Sequence, residues 1–211
     1  MMNSIGTDSI YSFVIVFVSL MIYKATKELF DLTNHKGIKF FRFAFLFFAL
    51  AYTFRFLAQF IVISLGHPRS FSTQLGMLSI TSLFFFIYAS TAAISYLWAS
   101  NHWRWFEKSF SMPLLHICAL LISFLGIATQ NATLIVTIQL IIITTLALTS
   151  YQKKNKDAQK LRFLYVLLAV FWALNFIDLL LPRIFVQTRL IIYLSSISLF
   201  LILLQKVIKK T

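Results

Sequence analysis

Charged residues are scarce in this 211-residue chain: they make up 12% of it, against about 25% in typical soluble domains. Only 6 residues are acidic, against 19 lysines and arginines, and hydrophobic residues make up 60% of the chain. The sequence contains no polar stretch long enough to build a water-exposed domain. This composition excludes an ordinary soluble protein and indicates an integral membrane protein.

Cysteine, glycine and proline are also few. The single Cys118 excludes an internal disulfide. The 5 glycines and 3 prolines form no phosphate-binding loop and no Gly-x-Ser-x-Gly nucleophile motif. The 4 histidines lack the spacing of metal or haem ligands, and a hydrogen-bonded structural role is favoured for His116. We therefore expect no cofactor, no metal and no enzymatic activity.

Long apolar runs are present instead. A helix needs about 20 mainly apolar residues to cross a bilayer, and seven segments meet this requirement. They predict an all-α, polytopic membrane protein, a single domain over residues 1–211 with seven transmembrane helices. The segments are residues 9–28, 40–65, 74–100, 112–129, 132–151, 161–181 and 189–207. The uncharged run that holds the fourth and fifth is divided at "TQNAT", and Gly37 is expected to let the chain re-enter the membrane after the first helix.

The basic residues between these segments predict an orientation. Fifteen of them fall on one side of the alternating map, and Arg69, Arg183 and Arg189 fall on the other. By the positive-inside rule, the N-terminus is outside and the C-terminus is in the cytoplasm of a multi-pass cell-membrane protein. The net charge of +13 is accordingly assigned to contact with anionic lipid headgroups at the cytoplasmic face, and not to nucleic acid.

Two of the segments resemble each other. Residues 42–57 align without gaps to residues 162–177, with Arg42 on Arg162 and Arg55 on Asn175. The alignment suggests a 3+1+3 parallel repeat, in which the fourth helix joins two three-helix halves. Chance similarity between two helices rich in Phe, Leu and Ala is the alternative.

One arginine lies deep in a predicted span. Arg55 follows Arg42 by thirteen residues, or about 20 Å of helix, and Asp178 lies at a comparable depth on the sixth helix. Because a central charge costs at least about 2.5–3.5 kcal/mol, each should face the protein interior and find a partner. The pair predicts either a functional polar site, for an anionic ligand, a proton or gating, or a purely structural link between two helices.

Further polar residues are expected near this pair. Tyr52, Gln59, Asn175 and Trp172 could line a small cavity beside Arg55 and Asp178. The third helix carries small residues that favour close helix packing and a central position. The fifth helix carries Gln139 and a row of threonines, which are Thr133, Thr137 and Thr144.

Three functions remain open on the sequence. The first is a receptor-like or sensor protein, or a partner-binding subunit, with a small intramembrane polar site. The second is a small-solute or ion transporter or channel that uses an Arg55–Asp178 pair, and the third is a purely structural subunit. Of the glycines, only Gly76 and Gly126 lie within predicted spans, and such unbroken helices favour the first function over a broken-helix transporter. A protein partner or a second copy of the chain is part of this hypothesis, with the basic segments 24–42 and 152–162 as docking sites.

Overall fold

The structure, a computed structural model, describes residues 2–64, 73–107, 111–152, 156–181 and 186–209. These ranges contain seven α-helices, a short 3-10 turn at Trp105–Glu107 and no strand. Each α-helix has a segment long and apolar enough to cross a membrane. The predicted all-α, seven-helix bundle is therefore confirmed. The helices are α1 (Met2–Thr33), α2 (Lys36–Ser64), α3 (Thr73–Asn101), α4 (Ser111–Thr129), α5 (Ala132–Gln152), α6 (Lys156–Leu180) and α7 (Val186–Ile208).

The boundary between α4 and α5 lies within "TQNAT", as predicted. Gln130 has a φ of 49°, a left-handed conformation that ends α4 and reverses the chain. Asn131 then caps α5, because its side-chain oxygen accepts a hydrogen bond from the Leu134 N–H at 3.1 Å. The forty-residue uncharged run is thus two helices.

The prediction for Gly37 was wrong in its mechanism. The chain turns at Asn34, whose φ is 50°, and Gly37 already lies in the first turn of α2. Its role is close helix packing, since the Ser100 hydroxyl of α3 donates a hydrogen bond to the Gly37 carbonyl at 2.8 Å. An added Cβ at this position would lie 3.2 Å from the Ser100 carbonyl oxygen.

Six helices form a closed ring. α1 packs on α2 and α7, α3 packs on α2 and α5, and α6 packs on α5 and α7. α4 lies outside the ring, mainly against α3, and it has the smallest buried share of the seven spans. α3 has the largest, and its small residues Ala89, Ser90, Thr91, Ala92 and Ala93 are buried. The third helix is thus closely packed, as its small residues predicted, but it is one member of the ring and does not take the central position expected for it.

The ring has the neighbour relations that a 3+1+3 repeat requires. If α1, α2 and α3 correspond to α5, α6 and α7, the α1–α7 contact is the counterpart of the α5–α3 contact, and both occur. In each half an arginine at the start of the second helix packs on a tyrosine of the helix before it: Arg42 on Tyr23 and Arg162 on Tyr151. The repeat itself stays a prediction.

Aromatic side chains fill part of the ring interior. Phe45 and Phe48 of α2, Phe171 of α6 and Phe200 of α7 are fully buried. The rings of Phe171 and Phe200 have centroids 4.5 Å apart, and those of Phe48 and Phe200 are 6.2 Å apart. The outward faces of the helices, in contrast, expose large apolar side chains, as expected of surfaces that lipid covers.

Candidate functional site

The candidate site is an ionic network around Asp178, close to the C-terminal end of α6. Arg55 of α2 approaches Asp178 Oδ2 with its Nη2 atom at 4.0 Å, and Arg189 of α7 approaches Oδ1 with its Nε atom at 3.5 Å. The Tyr193 hydroxyl of α7 donates a hydrogen bond to Oδ2 at 3.3 Å. The structure thus brings the two predicted charges together and adds a second arginine that the sequence did not assign to them.

Arg189 is anchored to the end of α6. Its Nη2 atom lies 3.3 Å from both the Asp178 and the Leu181 carbonyl oxygens, and it donates to each. These are carbonyls at the C-terminal end of α6, which lack partners in the helix itself and carry partial negative charge. Arg189 therefore caps α6 in addition to its contact with the Asp178 carboxylate.

Arg55 has weaker partners. Its guanidinium carbon lies 5.5 Å from the ring centroid of Tyr11 and 5.7 Å from that of Tyr52, distances at which a cation is attracted to an aromatic face. Within the described ranges, its only acidic neighbour at salt-bridge distance is Asp178, and no hydrogen bond to its guanidinium is found. Its side chain is 21% exposed.

A hydrogen-bonded group lies beside Arg55. The Tyr52 hydroxyl donates to the side-chain oxygen of Asn175 at 3.2 Å, and the Tyr11 hydroxyl lies 3.5 Å from the same oxygen. The Asn175 amide nitrogen donates to the Phe171 carbonyl at 2.9 Å, which fixes the orientation of the side chain. Tyr52 and Asn175 are therefore next to the charged pair, as the sequence suggested, and Tyr11 joins them.

Two other predicted lining residues differ in their surroundings. Gln59 lies one turn beyond Arg55 on α2, and its side-chain oxygen is buried without a hydrogen bond from the described residues. Trp172 is buried and donates its indole N–H to the Gln139 side-chain oxygen at 3.2 Å. It therefore belongs to a separate polar cluster with α5.

This second cluster is saturated. The Gln139 amide nitrogen donates to the Ser90 hydroxyl at 2.8 Å and to the Thr91 hydroxyl at 3.0 Å. With the Trp172 contact, all these side chains are buried and joined across α3, α5 and α6. Such a network holds helices together, and its burial leaves it out of reach of a ligand. The threonines predicted to share a face with Gln139 do not join it: Thr133 and Thr144 are exposed.

His116 also has a structural environment. Its Nδ1 atom lies 2.8 Å from the Tyr88 hydroxyl and its Nε2 atom lies 2.9 Å from the Tyr96 hydroxyl. Both ring nitrogens are used to join α4 to α3, which agrees with the hydrogen-bonded role predicted for this residue. Among the described residues, no group of three His, Cys, Asp or Glu side chains could hold a metal ion.

The sequence missed four members of the ionic network: Asp8, Tyr11, Arg189 and Tyr193. Asp8, near the start of α1, lies close enough to Tyr193 and Asp178 for its charge to act on both. Two arginines and two aspartates thus give the network a formal charge of zero. Arg189 was counted among the outer basic residues because the predicted seventh span begins at residue 189, whereas α7 begins at Val186.

Fold and site together define a multi-pass integral membrane protein with an ionic network at one end of a helix ring. No protein-family model matches the chain. It is similar to an uncharacterized protein of Archaeoglobus fulgidus, with 28% identity over 213 residues, which cover 98% of this chain and 93% of that one. The similarity extends over the whole bundle, but it does not indicate an activity.

Proposed function

We propose that this membrane protein is receptor-like: a sensor, or a ligand-responsive subunit that binds a partner protein, without enzymatic activity. The proposal rests on the position of the ionic network, which lies at one end of the helix ring, next to an interior that aromatic side chains fill. Tyr52, Asn175 and Tyr193 face the network, while Phe48, one turn before Tyr52, and Phe171, one turn before Asn175, are fully buried. A ligand that reached this site would have no open path onward.

The chemistry of the site supports binding over catalysis. Arginine keeps its proton at any physiological pH, so neither arginine can act as an acid or a base. What the network offers is charge and hydrogen-bond donors that can exchange partners. A site of this kind responds to a ligand through differential contacts in two states.

The proposed orientation puts the site at the outer half of the cell membrane and the basic segments at the cytoplasmic face. Lys24, Lys27, Glu28 and Asp31 lie on the last three turns of α1 and are exposed. This charged extension supports a docking site for a partner chain, or for a second copy of this one, next to anionic lipid headgroups.

The alternative is a small-solute or ion transporter in which Arg55 and Asp178 form a gating pair. The long distance of 4.0 Å between them favours it, because a loose pair separates easily. Within the described ranges all seven helices are unbroken, which favours a rigid bundle. A purely structural subunit is the third proposal, in which the network only joins helices.

Two measurements on the full chain separate these functions. Purified protein in proteoliposomes should give no solute or ion flux above that of empty vesicles. In native membranes, a photo-crosslinker in place of Lys27 should give a discrete adduct, whereas one in place of the lipid-facing Phe124 should give none. Adding Arg55→Gln should change the yield of the Lys27 adduct, while the protein keeps its fold.

Each alternative has its own outcome. Flux that depends on Arg55 would support the transporter. An adduct whose yield is independent of Arg55, together with a loss of stability in Arg55→Gln, would support the structural subunit.

A further inference from the structure

Arg55 and Arg189 are unequally satisfied, although both contact Asp178. Arg189 donates to two backbone carbonyls and lies 3.5 Å from the carboxylate. Arg55 has five N–H donors, and within the described part of the chain its nearest carboxylate oxygen is 4.0 Å away. The Arg55 guanidinium is partly exposed and its N–H donors are unused among the described residues, so within this network of zero formal charge Arg55 is the member that an incoming anionic acceptor can reach.

Asp178 is oriented toward α7 and away from Arg55. Its Oδ2 atom accepts the Tyr193 hydrogen bond at 3.3 Å, and its Oδ1 atom lies 3.5 Å from Arg189 Nε, a charge contact in which neither atom makes a hydrogen bond to the described residues. Both carboxylate oxygens thus face α7, and the electrostatic attraction between Asp178 and Arg55 of α2 is correspondingly weak. An incoming oxyanion could replace Asp178 at Arg55 and leave Asp178 with Arg189 and Tyr193.

The surroundings of Arg55 select the kind of anion. The guanidinium is a planar fork that pairs with a carboxylate through two parallel hydrogen bonds. The rings of Tyr11 and Tyr52 lie beside it, and their hydroxyls are engaged with Asn175. Both rings are buried, and Tyr11 also stacks on Tyr193, so they surround the guanidinium with apolar carbon. Such surroundings favour a weakly hydrated organic carboxylate over a strongly hydrated inorganic anion.

We infer that Arg55 binds the carboxylate group of a small organic acid, which displaces Asp178 as its counter-ion and loosens α2 from α6. The inference rests on the proposed function and names the ligand class of that same site. The displaced Asp178 stays with α7, so ligand binding changes the contact between the two halves of the ring. This exchange of partners is the switch that a receptor requires.

The test uses the full chain in lipid nanodiscs and sodium benzoate as the probe, with sodium chloride keeping ionic strength constant. Benzoate should raise the thermal unfolding temperature saturably. In Arg55→Gln the effect should be lost. In Arg55→Lys, which keeps the charge without the planar fork, the apparent Kd should rise at least about tenfold.

Arg42→Gln is the matched control, because Arg42 is on the same helix and also packs on a tyrosine, at the other end of the bundle. It should bind benzoate as the unchanged protein does. Equal stabilisation of the Arg55→Gln and Arg42→Gln variants, or no stabilisation of the unchanged protein, would overturn the inference.

A second variant keeps the test decisive if Arg55→Gln does not fold. Asp178→Ala combined with Arg189→Gln removes the competing carboxylate together with the other arginine that contacts it, so acetate should stabilise this double variant more than it stabilises Arg189→Gln alone. Acetate that stabilises both equally would contradict the displacement of Asp178.

Failure of the inference and failure of the proposed function are distinguishable. Without benzoate binding, but with an Arg55-dependent partner adduct, the ligand class is wrong and the receptor-like function stands. With saturable benzoate binding and benzoate flux into proteoliposomes, the ligand class stands and the receptor-like function is wrong.

Discussion

The rings of Tyr11 and Tyr193 stack with centroids 4.5 Å apart and planes 12° from parallel. They join the first helix to the last and so close the ring at the level of the ionic network. The Tyr193 hydroxyl, at the same time, donates to Asp178. One aromatic pair thus connects the packing of the bundle to the position of its central carboxylate.

Two substitutions at Tyr193 should separate these contributions. Tyr193→Phe keeps the stack and loses the hydrogen bond to Asp178, and we expect a loss of about 0.5–1.5 kcal/mol in the free energy of unfolding. Tyr193→Ala also removes the ring, and we expect about 3–5 kcal/mol. Unfolding in mixed micelles measures both values. Equal losses in the two variants would show that the hydroxyl, and not the ring stack, dominates.

The two arginines should differ in their coupling to Asp178. Double-mutant cycles with Asp178→Asn should give about 1–3 kcal/mol for Arg189→Gln and less than about 1 kcal/mol for Arg55→Gln. The reason is geometric: Arg189 is closer to the carboxylate and is fixed by two carbonyls. A larger coupling for Arg55 would contradict the assignment of Arg189 as the main partner.

A charge swap between Arg55 and Asp178 should fail to restore stability. An arginine at position 178 would lie next to Arg189, whose Nε atom is 3.5 Å from the present carboxylate, and like charges at that distance repel. Arg55→Asp with Asp178→Arg should therefore be no more stable than the less stable single variant. Adding Arg189→Gln to the swap should recover part of the loss. Full recovery by the swap alone would mean that Arg55 and Asp178 form an isolated pair.

Some of this site could be predicted from sequence because helical geometry is regular. The depth of Arg55 and Asp178 follows from counting residues from the basic ends of α2 and α6, and Asn175 lies three residues before Asp178, on nearly the same face. Spacing of this kind relates residues within one helix, and it was sufficient to predict that Arg55, Asp178, Asn175 and Tyr52 are neighbours.

The remaining members depend on how helices are placed around the ring. Tyr11 and Tyr193 come from opposite ends of the chain, and no pattern within either segment relates them. Arg189 was taken as an outer charge because it is the first residue of the predicted span 189–207, but α7 extends further, to Val186, and places Arg189 within the helix. Trp172 is three residues from Asn175 on the side away from Asp178, and its indole donates to Gln139 of α5, a contact between helices that the pattern of α6 alone does not show.

The saturated cluster around Gln139 should contribute to stability without affecting ligand binding. Gln139→Leu leaves the Trp172 indole and two hydroxyls without their partner. Side-chain hydrogen bonds between membrane helices contribute about 0.6 kcal/mol on average and at most about 1.7 kcal/mol, so we expect a loss of about 1–2 kcal/mol. Thr144→Val, at an exposed position of the same helix, is the control and should change stability by less than about 0.5 kcal/mol. Benzoate binding should be unchanged in both; a change in Gln139→Leu would connect the two polar clusters.

Among Gly6, Gly37 and Gly126, Gly37 should be the position at which a larger side chain lowers the stability of the protein most. Its N–H donates to His35 Nδ1 at 3.1 Å, which caps the start of α2, and its carbonyl accepts from Ser100. A Cβ would lie 2.9 Å from the His35 ring and 3.2 Å from the Ser100 carbonyl oxygen, so the cap and the α2–α3 contact would both have to move. Gly37→Val should lower stability by about 1–3 kcal/mol, the usual cost of overpacking.

Gly6→Val provides the matched control for this prediction. Gly6 also lies in the first turns of a helix, and a Cβ there meets nothing within 4 Å. Because valine has a higher helix propensity than glycine, the change should be neutral or slightly stabilising. Thermal unfolding of the two variants in the same nanodiscs measures the difference. Equal stability of Gly37→Val and Gly6→Val would show that α2 and α3 separate at no cost, and that the close contact at Ser100 does not hold the bundle together.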